Sequence, residues 1–143
     1  MKDWRNEMQV LPIGKGKKLR DGDDIAVLSI GPIGNEVIKA IEMVKEEGVS
    51  IAHYDMIYLK PLDEELLHEI GQKYNRIITV ENGVIKGGFG SAVLEFMADN
   101  GYTLHVKRIG VPDAFIEHGS IPELYQLCGM DAESIAKQLK KEN

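Results

Sequence analysis

The stretch Ile25-Ala26-Val27-Leu28-Ser29-Ile30 decides the fold class. It is almost entirely apolar, with Asp23-Asp24 before it and Gly31-Pro32 after it. A strand with one face in water alternates apolar and polar residues, whereas an unbroken apolar run is typical of a strand buried on both faces of a parallel sheet. The stretch therefore predicts a central strand that helices cover on both sides.

Helical and strand patterns alternate along the rest of the chain. A first helix is predicted from apolar residues at helical spacing, and Gly48 can end it. These apolar residues are Ile33, Val37, Ile38, Ile41 and Val44. Further strands are predicted at residues 51–57, 77–80 and 104–109, the last with the semi-polar pattern of an edge strand. A second helix follows Pro61-Leu62-Asp63, a third follows a glycine-rich loop at residues 83–90, and two short helices close the chain.

Local signals refine the helices. Ser120 and Glu123 have the spacing of a capping box, and Asp131 is a suitable N-cap for the final helix. His68 falls on the polar face of the second helix, where we expect it to be solvated.

The alternation predicts one domain of the α/β class. Strands and helices of these lengths form a three-layer α/β/α arrangement around a mostly parallel sheet. A chain of 143 residues suffices for one hydrophobic core. Residues 1–8 show no clean periodicity and are expected to be a lead-in, so that the domain spans residues 9–143.

The charge balance and the single cysteine exclude several classes of function. The net charge is −6 and the pI is about 5.2, whereas nucleic-acid binding needs clustered Lys and Arg, so no nucleic-acid partner is expected. No apolar run approaches the ~20 residues that span a bilayer, so no membrane partner is expected. Cys128 is the lone cysteine, which excludes an internal disulfide and favours a reducing, cytoplasmic location.

A glycine cluster, Gly87-Gly88-Phe89-Gly90, follows a predicted strand and opens a predicted helix. Backbone amides and the helix dipole can hold an anion at such a position. The dinucleotide-binding fingerprint fails, because Val93 stands where a third Gly or Ala is required, and no Gly-Lys-Ser/Thr phosphate motif follows. The partial motif favours a structural role, in which the glycines permit a tight turn and close helix packing.

The remaining polar residues form no assembled catalytic set. The four histidines lack zinc-site spacing, and a loop hydrogen bond is the favoured role for His118. Asp55 and Glu81 lie at or near the carboxyl ends of predicted strands, where α/β proteins place functional groups. For both we expect hydrogen bonds to loop amides or an ion pair with a neighbouring domain.

Several motifs together resemble a known enzyme family. In chain order they are Leu11-Pro12-Ile13-Gly14-Lys15-Gly16, Leu59-Lys60-Pro61-Leu62-Asp63, Thr79-Val80-Glu81, Gly87-Gly88-Phe89-Gly90-Ser91-Ala92-Val93 and Gly110-Val111-Pro112-Asp113-Ala114-Phe115-Ile116-Glu117-His118-Gly119. They resemble the third, C-terminal domain of the 1-deoxy-D-xylulose-5-phosphate synthases, over nearly the whole chain. The Lys-Pro-Leu-Asp and Gly-Gly-Phe-Gly elements also occur more widely among transketolase-like C-terminal domains. The first and last motifs are therefore the ones that narrow the resemblance to this family.

The resemblance implies a role within a larger enzyme. The family condenses pyruvate with glyceraldehyde 3-phosphate, releases CO2 and uses thiamine diphosphate and Mg²⁺, and its product feeds isoprenoid, thiamine and pyridoxal phosphate synthesis. The Gly-Asp-Gly magnesium motif and the cofactor-activating glutamate are absent here, and a Tyr-Pro-Arg-Gly segment is expected upstream of residue 1. No catalytic, cofactor-binding or metal-binding residue carries over, so we expect the chain alone to be inactive. Its expected partners are the other two domains of the enzyme and a second subunit of a homodimer.

The resemblance also implies five strands in the order 1-3-2-4-5, with strand 1, from residues 13–19, antiparallel to the rest. Ligands of open α/β sheets favour the crevice where the connections switch direction. The crevice and interface candidates are Gly31, Gly34, Glu81, Lys86, Gly87, Gly88, Gly90 and His118. Glu81 and the net negative charge oppose an anion there, so we expect a neighbouring domain's surface, and not a metabolite, to fill the crevice.

Two other functions are weighed against this one. The first is the C-terminal domain of a pyruvate-dehydrogenase-type E1 β subunit, against which the opening and closing motifs argue. The second is an independent α/β module that binds a small phosphorylated or nucleotide ligand in the glycine-rich loop. A ligand that stabilises the isolated chain against heat would favour the second.

Overall fold

A computed structural model describes residues 10–140 of the chain, and the predicted lead-in at residues 1–8 lies outside them. The strands in this part are β1 (Lys17–Arg20), β2 (Ile25–Ile30), β3 (Ile51–Asp55), β4 (Arg76–Val84) and β5 (His105–Val111). The helices are α1 (Gly34–Met43), α2 (Glu64–Lys73), α3 (Phe89–Asp99), α4 (Ile121–Leu127) and α5 (Ala132–Leu139), and a 3₁₀ turn covers Lys45–Glu47.

The five strands form one sheet in the order β1-β3-β2-β4-β5. β1 runs antiparallel to β3, whereas β3, β2, β4 and β5 are parallel to one another. Both the predicted order and the antiparallel edge strand are therefore confirmed. The central strand β2 is buried up to its last residue, and β5 lies at an edge with alternating exposure, as its semi-polar sequence indicates.

Helices cover both faces of the sheet, which confirms the three-layer prediction. One face packs against α1 and α5 in a core that includes Val27, Val37 and Ile135. The other face packs against α2 and α3 in a core that includes Leu28 and Phe89. Successive residues of β2 thus lie in different cores, which is why its sequence does not alternate.

Some strand boundaries differ from the predictions. β1 begins at residue 17 and not at 13, because residues 12–15 form a turn in which the N–H of Lys15 donates to the carbonyl of Pro12 at 3.3 Å. β4 continues to Val84, because its end pairs with Val111 after an irregularity in register. The glycine loop is therefore shorter than predicted, and only residues 85–88 separate β4 from α3.

The predicted environment of His68 is wrong. Its Nδ1 lies 2.8 Å from the hydroxyl of Tyr102, and its ring packs edge-on to Phe96 with centroids 4.9 Å apart. α3 and the segment that follows it therefore cover part of α2, so this position is not wholly solvated.

The predicted caps of the closing helices are confirmed. The Glu123 carboxylate accepts from the backbone N–H of Ser120 at 2.9 Å in a capping box. The Asp131 carboxylate accepts from the backbone N–H of Ser134 at 3.3 Å. Both caps satisfy N–H groups that a helix start leaves without partners.

Candidate functional site

The carboxylate of Glu81, near the end of β4, reaches the start of α3. Its Oε2 accepts a hydrogen bond from the backbone N–H of Phe89 at 2.7 Å, and its Oε1 accepts one from Gly90 at 2.8 Å. Only 4% of Glu81 is exposed. The first N–H groups of a helix have no partners within the helix and favour negative charge. The expectation that Glu81 bonds loop amides is confirmed.

Gly88 and Gly90 allow this close approach. A Cβ on Gly88 would lie 2.2 Å from Oε2 of Glu81 and 2.4 Å from the carbonyl oxygen of Val84. A Cβ on Gly90 would lie 2.4 Å from Oγ1 of Thr79. These distances are far too short for non-bonded atoms, and a backbone carbonyl cannot swing aside as a side chain can. Packing inside the domain therefore requires both glycines, whatever lies outside it.

The loop at residues 85–88 is held from the side of β5. Arg108 donates to the carbonyl of Ile85 at 2.8 Å and to Oγ of Ser91 at 2.7 Å. The same Oγ accepts from the backbone N–H of Gly87 at 3.0 Å, and Gly87 adopts the left-handed conformation at φ 72°. Groups of this chain therefore fix the geometry of the loop.

The two glycine loops of the predicted crevice follow neighbouring strands, because β2 pairs with β4 and Ile30 lies opposite Glu81. Gly31 and Gly34 lie at the start of α1, whose core is on the opposite face of the sheet from α3. Gly87 and Gly88 line a groove shared with residues 59–64, and neither of the α1 glycines lines it. The candidate site is the closed start of α3, where Glu81 already accepts from the first backbone N–H groups, together with the groove beside it.

Of the last two predicted site residues, Lys86 lies in the loop before α3 and His118 lies between β5 and α4. Lys86 forms an ion pair with Asp113 at 3.3 Å. His118 is exposed and lines a mainly apolar cavity of about 380 Å³ together with Tyr125 of α4. Neither side chain is directed to a hydrogen bond with the start of α3.

Asp63 joins two of the sequence motifs, at residues 11–16 and 59–63. Its Oδ2 accepts from the N–H of Gly16 at 2.9 Å, and its Oδ1 accepts from the N–H of Leu66 at 3.2 Å, which caps α2. Nζ of Lys15 lies 3.4 Å from the same carboxylate. Burial by itself raises the pKa of Asp63, but these donors hold that pKa below its ordinary value.

Sequence reasoning missed one buried polar pair. Oγ of Ser29 lies 2.8 Å from Nε2 of His53, and each residue is only 1% exposed. Burial lowers the pKa of His53 to about 4, because the charged ring would lose its hydration. A nucleophile needs access to its substrate, so this geometry indicates a structural hydrogen bond. A serine within an otherwise apolar strand was the available signal.

The described part of the chain offers no metal centre. Across residues 10–140, no three or more His, Cys, Asp or Glu side chains are grouped so that they could hold an ion. Over the same residues, no helix has the length and hydrophobicity needed to span a membrane.

The fold is that of a transketolase C-terminal domain, and the chain belongs to that family. Residues 14–135 match the family described as "Transketolase, C-terminal domain". Among individual proteins, a 1-deoxy-D-xylulose-5-phosphate synthase of Parabacteroides distasonis is 99% identical over 143 residues, which are all of this chain and 23% of that protein. A synthase of the same name from Bacteroides thetaiotaomicron is 60% identical over 141 residues, or 98% of this chain and 22% of that protein. The resemblance drawn from the motifs is confirmed, and the chain spans less than a quarter of these relatives.

Solved structures show the same fold. A structure described as "Split gene transketolase, inactive beta4 tetramer" superposes with a TM-score of 0.81 and 31% identity, over 92% of this chain and 45% of that one. A transketolase from Campylobacter jejuni superposes with a TM-score of 0.61 and 12% identity, over 87% of this chain and 18% of that one. At this lower identity the second likeness concerns the fold alone.

Proposed function

We propose that this chain is the C-terminal association domain of a 1-deoxy-D-xylulose-5-phosphate synthase, a transketolase-like transferase of the cytoplasm. The full-length enzyme condenses pyruvate with glyceraldehyde 3-phosphate and releases CO2. Similarity to synthases over nearly the whole chain supports this assignment. Thiamine diphosphate and Mg²⁺ belong to the remainder of the polypeptide. The task of this domain is to pack against the other domains and the second subunit of a homodimer.

The closed start of α3 is the observation that supports placing the cofactor outside this domain. Diphosphates bind through backbone amides, cations and a metal ion. The amides of Phe89 and Gly90 already donate to Glu81, and the charge of that carboxylate repels a phosphate. The residues present therefore do not fit thiamine diphosphate, and we expect the isolated domain to be inactive.

Exposed apolar side chains support an association role. Phe115, in the irregular segment between β5 and α4, is 92% exposed, and Ile13 is 78% exposed. α4 has no fully buried residue. Scattered exposed apolar residues are common, but interface centres are more apolar than the rest of the surface and are enriched in aromatic side chains.

Calorimetry tests whether this domain lacks a site for thiamine diphosphate. Thiamine diphosphate is titrated, with Mg²⁺ present, into the isolated domain and in parallel into the full-length synthase. We expect binding heat from the full-length protein and none from the domain. Micromolar binding to the domain alone would overturn the proposal.

Removing the domain tests the association role. A synthase that ends before this domain is compared with the full-length enzyme by sedimentation and by turnover of pyruvate with glyceraldehyde 3-phosphate. We expect the shortened protein to lose assembly and, with it, activity. A shortened protein that remains an active dimer would contradict an association role.

A further inference from the structure

A groove of about 560 Å³ lies between the segment that leads into α2 and the whole length of α3. Two motifs that the sequence singled out, at residues 59–63 and 87–93, meet along it. Apolar side chains form part of its floor, namely Leu59, Pro61, Leu62, Ala92 and Phe96. An apolar floor open to solvent favours contact with another apolar surface.

The rim of the groove carries unbalanced charge. Three carboxylates line it, from Glu64, Glu95 and Asp99, against a single lysine, Lys60. Within residues 10–140 none of these four side chains makes an ion pair or a side-chain hydrogen bond. Some carboxylates elsewhere on the surface do have partners, as Glu42 does with Arg20 at 3.0 Å. The groove therefore favours a cationic group between its carboxylates.

An apolar patch adjoins the groove where the chain enters the domain. The turn at Gly14 packs so closely on Pro61 that a Cβ on the glycine would lie 2.9 Å from Cγ of the proline. The residues around this turn therefore lie beside the groove. Leu11 is 53% exposed and Ile13 is 78% exposed, and Leu59 at the groove's end is 41% exposed. The patch and the groove floor form one apolar surface at the entry point of the chain.

We propose that the groove and the adjoining patch bind a segment of the polypeptide that precedes this domain in the same chain of the full-length enzyme. The segment places an apolar side chain on the groove floor and an Arg or Lys between Glu64, Glu95 and Asp99. This inference rests on the proposed function, which gives the domain a preceding polypeptide. The position supports that occupant, because a segment tethered at residue 10 has a high effective concentration at the patch. Arginine in particular is enriched at the centres of protein interfaces.

Thiol accessibility in the full-length synthase tests whether the groove is covered. Glu95→Cys is compared with the control Glu46→Cys, which replaces an exposed carboxylate on the 3₁₀ turn, away from the groove. Labelling by a bulky maleimide is followed peptide by peptide in the mass spectrometer. We expect Glu95→Cys to react at least about tenfold more slowly than the control, because a covered thiol reacts only when the interface opens. Equal rates would overturn the proposal.

Photo-crosslinking identifies the occupant. p-Benzoylphenylalanine is placed at position 95 of the full-length enzyme, and the crosslinked peptide is mapped in dimers mixed from light and heavy isotopic forms. We expect a crosslink to the preceding part of the same chain. Crosslinks to the second subunit, or none beyond this domain, would overturn the assignment. Calorimetry and truncation test the proposed function without reference to this groove. A negative result from labelling or crosslinking would therefore reject the groove proposal and leave the proposed function unaffected.

Discussion

Replacing Glu81 by glutamine tests the central structural feature of the site. Glutamine has nearly the same shape as glutamate, so the change removes the charge and leaves the volume. A carboxylate can accept from both Phe89 and Gly90, as it does at 2.7 and 2.8 Å. A glutamine side chain offers one acceptor oxygen and an NH₂ group that can only donate. One of the two backbone N–H groups therefore loses its partner in Glu81→Gln.

The magnitude follows from burial and from the charge of the bond. Glu81 is 4% exposed, so water cannot replace the missing acceptor. An unsatisfied buried donor costs about 1–3 kcal/mol, and a bond to an ionised acceptor is roughly twice as strong as a neutral one. We expect Glu81→Gln to lower the free energy of unfolding of the domain by about 2–4 kcal/mol. At about 3 °C per kcal/mol for a chain of this size, the Tm falls by about 6–12 °C.

Urea denaturation and a thermal scan of the purified domain measure the effect. The matched control is Glu95→Gln, which neutralises an exposed carboxylate of α3 and should change stability by less than about 0.5 kcal/mol. Amide hydrogen exchange at Phe89 and Gly90 should rise in Glu81→Gln and stay unchanged in the control. If Glu81→Gln is as stable as the unmodified domain, the carboxylate does not hold the start of α3 and the reasoning fails.

Three further perturbations act on the packing at Gly88, on the carboxylate of Asp63 and on the buried His53. Gly88→Ala should lower the free energy of unfolding by at least about 2 kcal/mol, because its Cβ would meet Glu81 Oε2 at 2.2 Å; urea denaturation measures this. Asp63→Asn should cost about 1–2 kcal/mol in the same assay, because Gly16 loses its charged acceptor. Acid should destabilise the domain through His53, whose folded pKa of about 4 lies below its ordinary 6.5. Its contribution is complete above pH 6.5 and is lost as the pH falls to about 4, for a total of about 3 kcal/mol in pH-dependent unfolding.

Each of these perturbations has a matched control. Gly119→Ala adds a methyl group that meets only flexible side chains, Leu124 at 3.3 Å and the Glu123 carboxylate at 3.7 Å, and should be nearly neutral. Asp99→Asn removes an exposed carboxylate without a hydrogen bond and should also be nearly neutral. His53→Gln should remove most of the loss of stability between pH 6.5 and about 5, where carboxylates contribute little, whereas His105→Gln, on the exposed edge strand, should retain it. The opposite result in either histidine variant would contradict the assignment of that loss to burial.

The sequence predicts most of the fold because the central strands are encoded by continuous apolar runs. It misplaces β1, whose four residues are all exposed and which is held mainly by backbone pairing with β3, as between Lys17 and Asp55. It also misses the end of β4, where Asn82 and Gly83 are poor strand formers. That extension depends on pairing with Val111, which is distant in sequence. Long-range backbone pairing leaves little trace in local composition.

The site divides in the same way. The bonding of Glu81 to loop amides is predictable, because a carboxylate at a strand end precedes a helix that begins at glycines. The Ser29–His53 pair is not, because it needs the register that places Val27 opposite His53 and puts both polar side chains on one face. The groove beside α3 is also beyond sequence reasoning, since it depends on how α2 and α3 are spaced across the sheet.

The closed start of α3 bears on which partner this domain can have. In open α/β sheets the carboxyl edge binds ligands because helix amides and loop amides there have no partners. Here Glu81 satisfies those of Phe89 and Gly90, and Arg108 and Ser91 hold the loop that follows β4. The usual attraction for an anionic metabolite is therefore removed at this helix. The groove beside it instead has exposed carboxylates without an ion-pair partner among the described residues, and apolar side chains lie next to them. A cationic side chain with apolar neighbours meets both demands at once, and a protein segment supplies that combination more readily than a phosphorylated metabolite does.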